Sequence, residues 1–209
     1  ARSSGKPGEA AGISLFLVPA GAKGVTRTAL KLMDSRGAAA VTFDGVTVGA
    51  DAVIGTPDKG FEVLEPVLDR VRAGLAAEML GTALQAFETT IDYLKVRVQF
   101  GQTLGSFQAL QHRAAKMFTE LELTRSCVEA ALTAIDTGAN DIRELASLAK
   151  ARANETLHLI SNEMVQMHGG IGMTDAHDAG LYLKRARAAE AAYGNAAYHR
   201  ERFGRLHGF

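Results

Sequence analysis

Three short stretches carry residue types and spacings that could do chemistry. The first is VQMHGGIGM (165–173), in which Gly169, Gly170 and Gly172 follow Gln166 and His168. Glycine N–H groups have no Cβ in front of them, so a phosphate or a ring can approach the backbone closely. A Gly-Gly pair ending a helix has the same composition, so a simple turn is the competing reading. The second stretch is YLKVRVQFGQTLGSFQALQHR (93–113). Here Arg97 and Phe100-Gly101 sit where one helix ends and another begins. An arginine beside an aromatic suits an anionic, aromatic ligand; equally, a helix C-terminus favours a cation and Phe100 could be buried. The third is DKGFEVLEPVLDRVRAGLAAEMLG (58–81), with Asp69 and Arg72 three residues apart on one helix face.

Other chemistries find no support. Six histidines are present, but no HExxH; the single ExxH, Glu155 to His158, falls short of the two such pairs and two further glutamates of a di-iron bundle, and reads as a polar helix face. No metal site is expected. There is no GxSxG and no cysteine beside a histidine. The lone Cys127 excludes an internal disulfide, reads as core packing, and fits a reducing cytoplasm. Lys and Arg total 23 and Asp and Glu total 23. A formal net charge of zero gives no electrostatic reason to expect nucleic acid or an acidic membrane surface. The longest apolar run, ISLFLV (13–18), is far short of a membrane span of about 20 residues. The chain opens on a polar ARSSGKPGEAAG without methionine, and the expectation is that it begins within a longer protein.

The elements that must position these residues fall into two parts. Residues 1–57 read as β: GISLFLVP and AAVTFDGVTV are β-prone runs bounded by Gly, Pro and Asp, and GVTRTALKL is a weaker third. From about Gly60 the apolar period becomes 3.6. Helices are expected over 61–98, with Pro66 near the start or at a kink; over 107–135, with Ser106 as N-cap; over 142–167; and over 181–203. Short connections between long amphipathic helices argue for an antiparallel bundle over 58–209. The fold class is therefore α+β, mainly α: a partial β-barrel or sheet segment followed by an antiparallel four-helix bundle.

Taken in order, the motifs resemble the acyl-CoA dehydrogenase family, the FAD-dependent α,β-desaturases of acyl-CoA thioesters. They are Asp69 and Arg72, Gly81, Tyr93, Arg97, Phe100-Gly101, Phe107-Gln108, Gln166, and Gly169-Gly170-Ile171-Gly172. The resemblance covers nearly the whole chain, as the end of the family's middle β domain and its C-terminal bundle. It implies that Arg97, Phe100, Gln166, Gly169 and Gly170 close around the FAD of a neighbouring subunit, Arg97 toward its phosphates. It implies that Asp69 and Arg72 line the acyl-CoA site. It also implies identical or related subunits as partners and an electron acceptor such as an electron-transfer flavoprotein.

At one point the sequence departs from the family. The usual proton-abstracting glutamate lies in a Y-E-G-T segment entering the last helix; the corresponding stretch, AAYGNAAYHRER, has Tyr193, Gly194 and Asn195. The minority position, directly before the helix arginine, is Val71. None is acidic; Glu190, a turn earlier, is the remaining acid. Three readings stay open: a catalytic subunit with an unrecognised base, a non-catalytic partner in a heteromeric dehydrogenase, and a structural bundle without flavin.

Overall fold

The computed structural model describes all 209 residues, and they divide into two units, Ala1–Leu68 and Asp69–Phe209.

The first unit holds two separate two-stranded antiparallel ladders; there is no closed barrel. Strand β1 (Leu15–Phe16) pairs with β4 (Val53–Ile54), and β2 (Val25–Leu30) pairs with β3 (Ala38–Phe43) from Val25 opposite Phe43 to Leu30 opposite Ala38. GVTRTALKL, the weakest of the three runs by composition, thus forms a full strand. GISLFLVP contributes only two strand residues, and AAVTFDGVTV stops at Phe43. The reason for that stop is local. The Asp44 N–H donates to Gly24 O at 2.9 Å, and Gly45 turns the chain at φ 57°. Polar bonds tie the start of the unit to its end: Ser3 Oγ donates to Asp58 Oδ1 at 2.6 Å, Asp58 N–H to Ser14 Oγ at 2.8 Å, and Gly60 N–H to Ile13 O at 2.7 Å.

Five α-helices follow: α1 (Gly60–Val96), α2 (Gln108–Thr137), α3 (Ile142–His168), α4 (Ala179–Ala191) and α5 (Ala196–Leu206). The 3.6-residue period places the first three within two residues of their ends. Helix α1 runs on through Pro66, in its second turn. Ser106 is not the cap of α2: its hydroxyl donates back to Thr103 O at 2.7 Å inside a 3₁₀ turn, and Phe107 takes the N-cap position. Gly138, at φ 65°, closes α2 with its N–H on the carbonyls of Ala134 and Ile135, a left-handed C-cap that glycine adopts without strain.

The fourth expected helix is two helices. The chain breaks at 192–195, where Tyr193 (φ 56°) and Gly194 (φ 109°) are left-handed and the Asn195 side chain accepts from Tyr198 N–H to start α5. The alanine-rich composition on both sides reads as continuous helix, and this hid the break.

Helix α3 is the centre of the second unit, packing on α2, α4 and α5. Its buried face runs Ala146, Lys150, Ala153, Leu157, Ile160, Met164 and Met167. It meets Met117, Leu121, Val128 and Ala131 of α2 and Ala73, Ala76, Met79, Ala83 and Ala86 of α1 in one core. Thr124 and Thr156 satisfy each other's hydroxyls inside it at 2.7 Å. Cys127 lies half-buried against the same core, as expected, and burial pushes its thiol pKa up. No helix is long and apolar enough to cross a membrane. Substituting Leu157→Ala is expected to cost about 2–5 kcal/mol, read as a lower denaturant midpoint at unchanged slope.

Candidate functional site

The expected site residues gather in two places on the second unit. At one end of the bundle, Tyr93 in the last turn of α1 stacks on His168 at the end of α3, with ring centroids 4.3 Å apart, and its hydroxyl donates to His168 O at 3.4 Å. His177 packs on the other side of His168 at 4.2 Å. His168 is anchored by Nδ1–H donating to Met164 O at 2.7 Å; burial lowers its pKa, with the Met164 carbonyl opposing and His177 adding to the lowering. This stack brings the root of the Arg97 segment next to the glycine loop.

Each glycine of that loop has a different reason. Gly169 ends α3 at φ 61°, a left-handed position. Gly172 is required by packing, since a Cβ there would lie 2.7 Å from Val165 O. Gly170 has no internal reason: its backbone is not left-handed, and an added Cβ would meet nothing within 4 Å. The loop is therefore both a turn and an open stretch of backbone. Gln166, Gly169 and Gly170 are all exposed.

Four residues beyond Tyr93, Arg97 leads into a hairpin of β5 (Val98–Gln99) and β6 (Gln102–Thr103). Its two-residue turn is Phe100-Gly101, at φ 55° and 80°. Two successive left-handed residues make the turn whose twist matches a hairpin, normally filled by Asn-Gly. Phenylalanine pays strain to be there and is still 88% exposed, touching Phe107 edge-on at 6.1 Å. Arg97 is exposed as well.

The second place lies far along α1. Twenty-one residues separate Arg72 from Tyr93, about 31 Å of helix. Asp69 and Arg72, which the resemblance assigns to the acyl-CoA site, are both buried. Asp69 is 1% exposed and holds Arg72 Nη1 at 2.8 Å and Arg202 Nη2, from α5, at 2.8–2.9 Å. Arg202 also donates to Ser147 Oγ at 2.7 Å and Arg143 O at 3.0 Å on α3. Arg72 reaches upward: Nη2 donates to Tyr198 Oη at 3.2 Å and Nε to Tyr193 O at 3.4 Å.

Tyr193 O and Gly194 O, in the α4–α5 break, collect buried donors. His199 Nε2–H donates to Tyr193 O at 3.1 Å. Lys150, fully buried in α3, donates from Nζ to Gly194 O at 3.2 Å, Ala189 O at 3.0 Å and Asn154 Oδ1 at 2.6 Å. Asn154 Nδ2 adds a bond to Gly194 O at 3.3 Å. Burial lowers the Lys150 ammonium to about 8, with Glu190 pulling the other way. Burial, then the Lys150 charge, holds His199 down to about 4, so it is neutral at neutral pH.

At the positions expected for a base, Tyr193 and Asn195 are exposed, and only Tyr193 has a side chain without a capping bond. A Cβ on Gly194 would lie 2.4 Å from Tyr198 Cδ1, so no larger residue fits. Asn195 is occupied in capping α5. Tyr193 is 51% exposed and free to project. Val71 is half-buried and apolar. Glu190 is turned onto α3 and α4, 2.7 Å from Arg187 Nη1 and 3.2 Å from His158 Nδ1, in a groove of about 350 Å³. The ExxH pair is equally committed, with Glu155 bonded to Arg200 and His158 to Glu190.

Sequence reasoning missed Lys150 and His199. The signal was available: Lys150 falls in register with Ala146, Ala153 and Leu157, so a cation occupies the apolar stripe of α3.

Two predictions follow from the buried groups. His199 binds its proton in the unfolded chain near 6.5 but in the folded protein only near 4. Its contribution to stability is therefore complete above about 6.5 and is lost as pH falls from there toward 4. Urea midpoints at stepped pH should show that decline, and His199→Gln, which keeps a donor to Tyr193 O without titrating there, should flatten it. Gly194→Ala is expected to cost on the order of 2–3 kcal/mol by crowding Tyr198 and His199, measured by thermal or chemical unfolding.

Comparison with known proteins matches this architecture. The acyl-CoA dehydrogenase C-terminal domain profile matches residues 58–206. The bovine (Bos taurus) mitochondrial short/branched chain specific acyl-CoA dehydrogenase is 35% identical over 179 residues, 84% of this chain and 41% of that protein. The three-dimensional structure of butyryl-CoA dehydrogenase from Megasphaera elsdenii superposes with a TM-score of 0.90 at 27% identity, covering 98% of this chain and 54% of that one. The ChsE4-ChsE5 complex from Mycobacterium tuberculosis gives 0.85 at 26% identity, covering 95% and 53%. The chain thus spans about half, or less, of the length of each. On the match over 58–206, it belongs to the acyl-CoA dehydrogenase family.

Proposed function

We propose that this chain supplies the helical part of a subunit in an FAD-dependent acyl-CoA dehydrogenase, and that it completes a flavin site shared with a neighbouring subunit. The observation that carries this is Gly170: among the three loop glycines it alone has no reason within the fold, and open space lies in front of it. The exposed, strained Phe100 and the exposed Arg97 belong to the same end of the bundle. These groups fit a dinucleotide. Arg97 offers a fixed fork of donors for phosphate, Phe100 a stacking face, and Gln166, Gly169 and Gly170 polar and backbone contacts. Bound there, FAD would supply the two-electron acceptor for α,β-desaturation of an acyl-CoA thioester.

The separation of the two places supports an interface. With about 30 Å of α1 between them, the glycine-loop end and the α4–α5 break would face different bound molecules, or one that extends to another chain. The acyl thioester is assigned to the α4–α5 side. There Asp69 and Arg72 act beneath the loop, holding it, and the outward group is Tyr193.

Abstraction of the α-proton needs a base of matched pKa within hydrogen-bond reach. No carboxylate stands at residues 193–195 or 71, and Glu190 is neutralised by Arg187. We therefore favour a partner role: a related subunit carries the base, and this chain completes its flavin site. The similarity to a complex named for two chains, ChsE4 and ChsE5, supports such an arrangement. Soluble redox partners of the electron-transfer flavoprotein kind would reoxidise the cofactor.

Visible flavin absorbance tests the reading. Flavin is expected when the protein is purified with its partner subunit. Gly170→Val should leave the unfolding midpoint unchanged yet weaken flavin retention tenfold or more, equivalent to about 1.4 kcal/mol; full retention would count against the site. Phe100→Ala should cost about 1–3 kcal/mol of stacking, also with stability intact. Installing a carboxylate by Tyr193→Glu should produce acyl-CoA-dependent bleaching in the flavin-loaded assembly whose partner subunit has lost its own base. Full turnover by an unaltered homomer would end the partner reading.

A further inference from the structure

We propose that Lys150 is a positioning residue for Tyr193: it ties the end of α4 to Gly194 within the α4–α5 break, so that residue 193 is presented outward in a single conformation. The proposal rests on the reading that this break faces the acyl thioester.

Burying an ammonium group is costly, and a well-packed apolar residue would serve stability at least as well. What Lys150 gains instead is specific. Ala189 O is among the last carbonyls of α4, which have no helical partner, at the negative end of the helix dipole. Gly194 O lies within the break. One Nζ donates to both, at 3.0 and 3.2 Å, bracketing residues 190–193. Asn154, one turn along α3, receives its third bond at 2.6 Å and itself donates to Gly194 O, so the cation and the loop share a second anchor. From the other sides, Arg72 of α1 and His199 of α5 draw the Tyr193 carbonyl inward. With its carbonyl turned in and φ held at 56°, Tyr193 directs its side chain out. A left-handed tyrosine persists only when its surroundings over-determine it, and Lys150 ties the last turn of α4 to the break itself. Nothing in packing alone calls for that arrangement, because a glycine at 193 would make the turn without strain.

The test places para-trifluoromethyl-phenylalanine at position 193 of the full-length subunit, in its native assembly, and reads it by fluorine NMR. A second label at Phe118, exposed on α2, reports general damage. One narrow line is expected from position 193. Lys150→Met should broaden, split or shift that line while the Phe118 label stays put. Asn154→Leu, which removes the second anchor and keeps the ammonium, should do the same to a smaller degree and covers the case in which Lys150→Met fails to fold. An unchanged line in both variants, or in Asn154→Leu alone if the other cannot be made, overturns the proposal. Adding butyryl-CoA separates the two ideas. A Lys150-dependent line that butyryl-CoA does not move keeps the clamp and removes the thioester assignment. A line that butyryl-CoA moves, but that ignores Lys150 and Asn154, does the reverse.

Discussion

The Asp69 carboxylate is the interaction on which the second unit turns. It is buried, and its two oxygens hold guanidinium groups from two helices, Arg72 of α1 and Arg202 of α5. Arg202 extends the tie to α3 through Ser147 and Arg143, and Arg72 extends it to Tyr193 and Tyr198. Removing one partner from such a buried cluster typically costs about 3–5 kcal/mol, because charge is left without compensation. A cluster of this kind is a poor source of net stability but a strict source of register. Helix α5 buries only His199 and Arg202, so polar bonds rather than apolar area decide where it docks.

The break between α4 and α5 follows from that docking. Four donors from three helices, Arg72, Lys150, Asn154 and His199, converge on two adjacent carbonyls. The loop has little freedom left: an added Cβ at position 194 would crowd Tyr198, Asn195 caps a helix, and Tyr193 projects outward. The resemblance assigns the base to this segment, and here the segment is held by buried donors while its projecting residue is a tyrosine.

The other end of the bundle works by exposure instead of burial. A stack of Tyr93, His168 and His177 braces the ends of α1 and α3. What stands beyond it is open: Arg97, the hairpin tip at Phe100, and the backbone around Gly170. An isolated chain gains nothing from displaying an aromatic ring in a strained turn. On the reading proposed above, these features meet the flavin shared with a neighbouring subunit.

Much of this was legible in the sequence. The 3.6-residue period fixed α1, α2 and α3 almost to their ends, because long helices with one apolar face are determined by local pattern. The ordered motifs identified the family, and the glycine, arginine and phenylalanine positions pointed to backbone and ring exposure. Tertiary structure decided the rest. It split the last helix, since alanine-rich composition cannot register a break enforced by donors from other helices. It paired Val25–Leu30 of GVTRTALKL with β3, because strand pairing depends on a partner distant in sequence. It placed Asp69 and Arg72, which the resemblance assigned to the acyl-CoA site, in a buried hub, and it gave Gly169 and Gly172 separate reasons within the fold while Gly170 has none. It also exposed the role of Lys150, whose place in an apolar stripe is visible in sequence but whose acceptors lie 39 and 44 residues away. Local periodicity is written in neighbouring residues; which buried polar group meets which carbonyl is settled only when the helices pack.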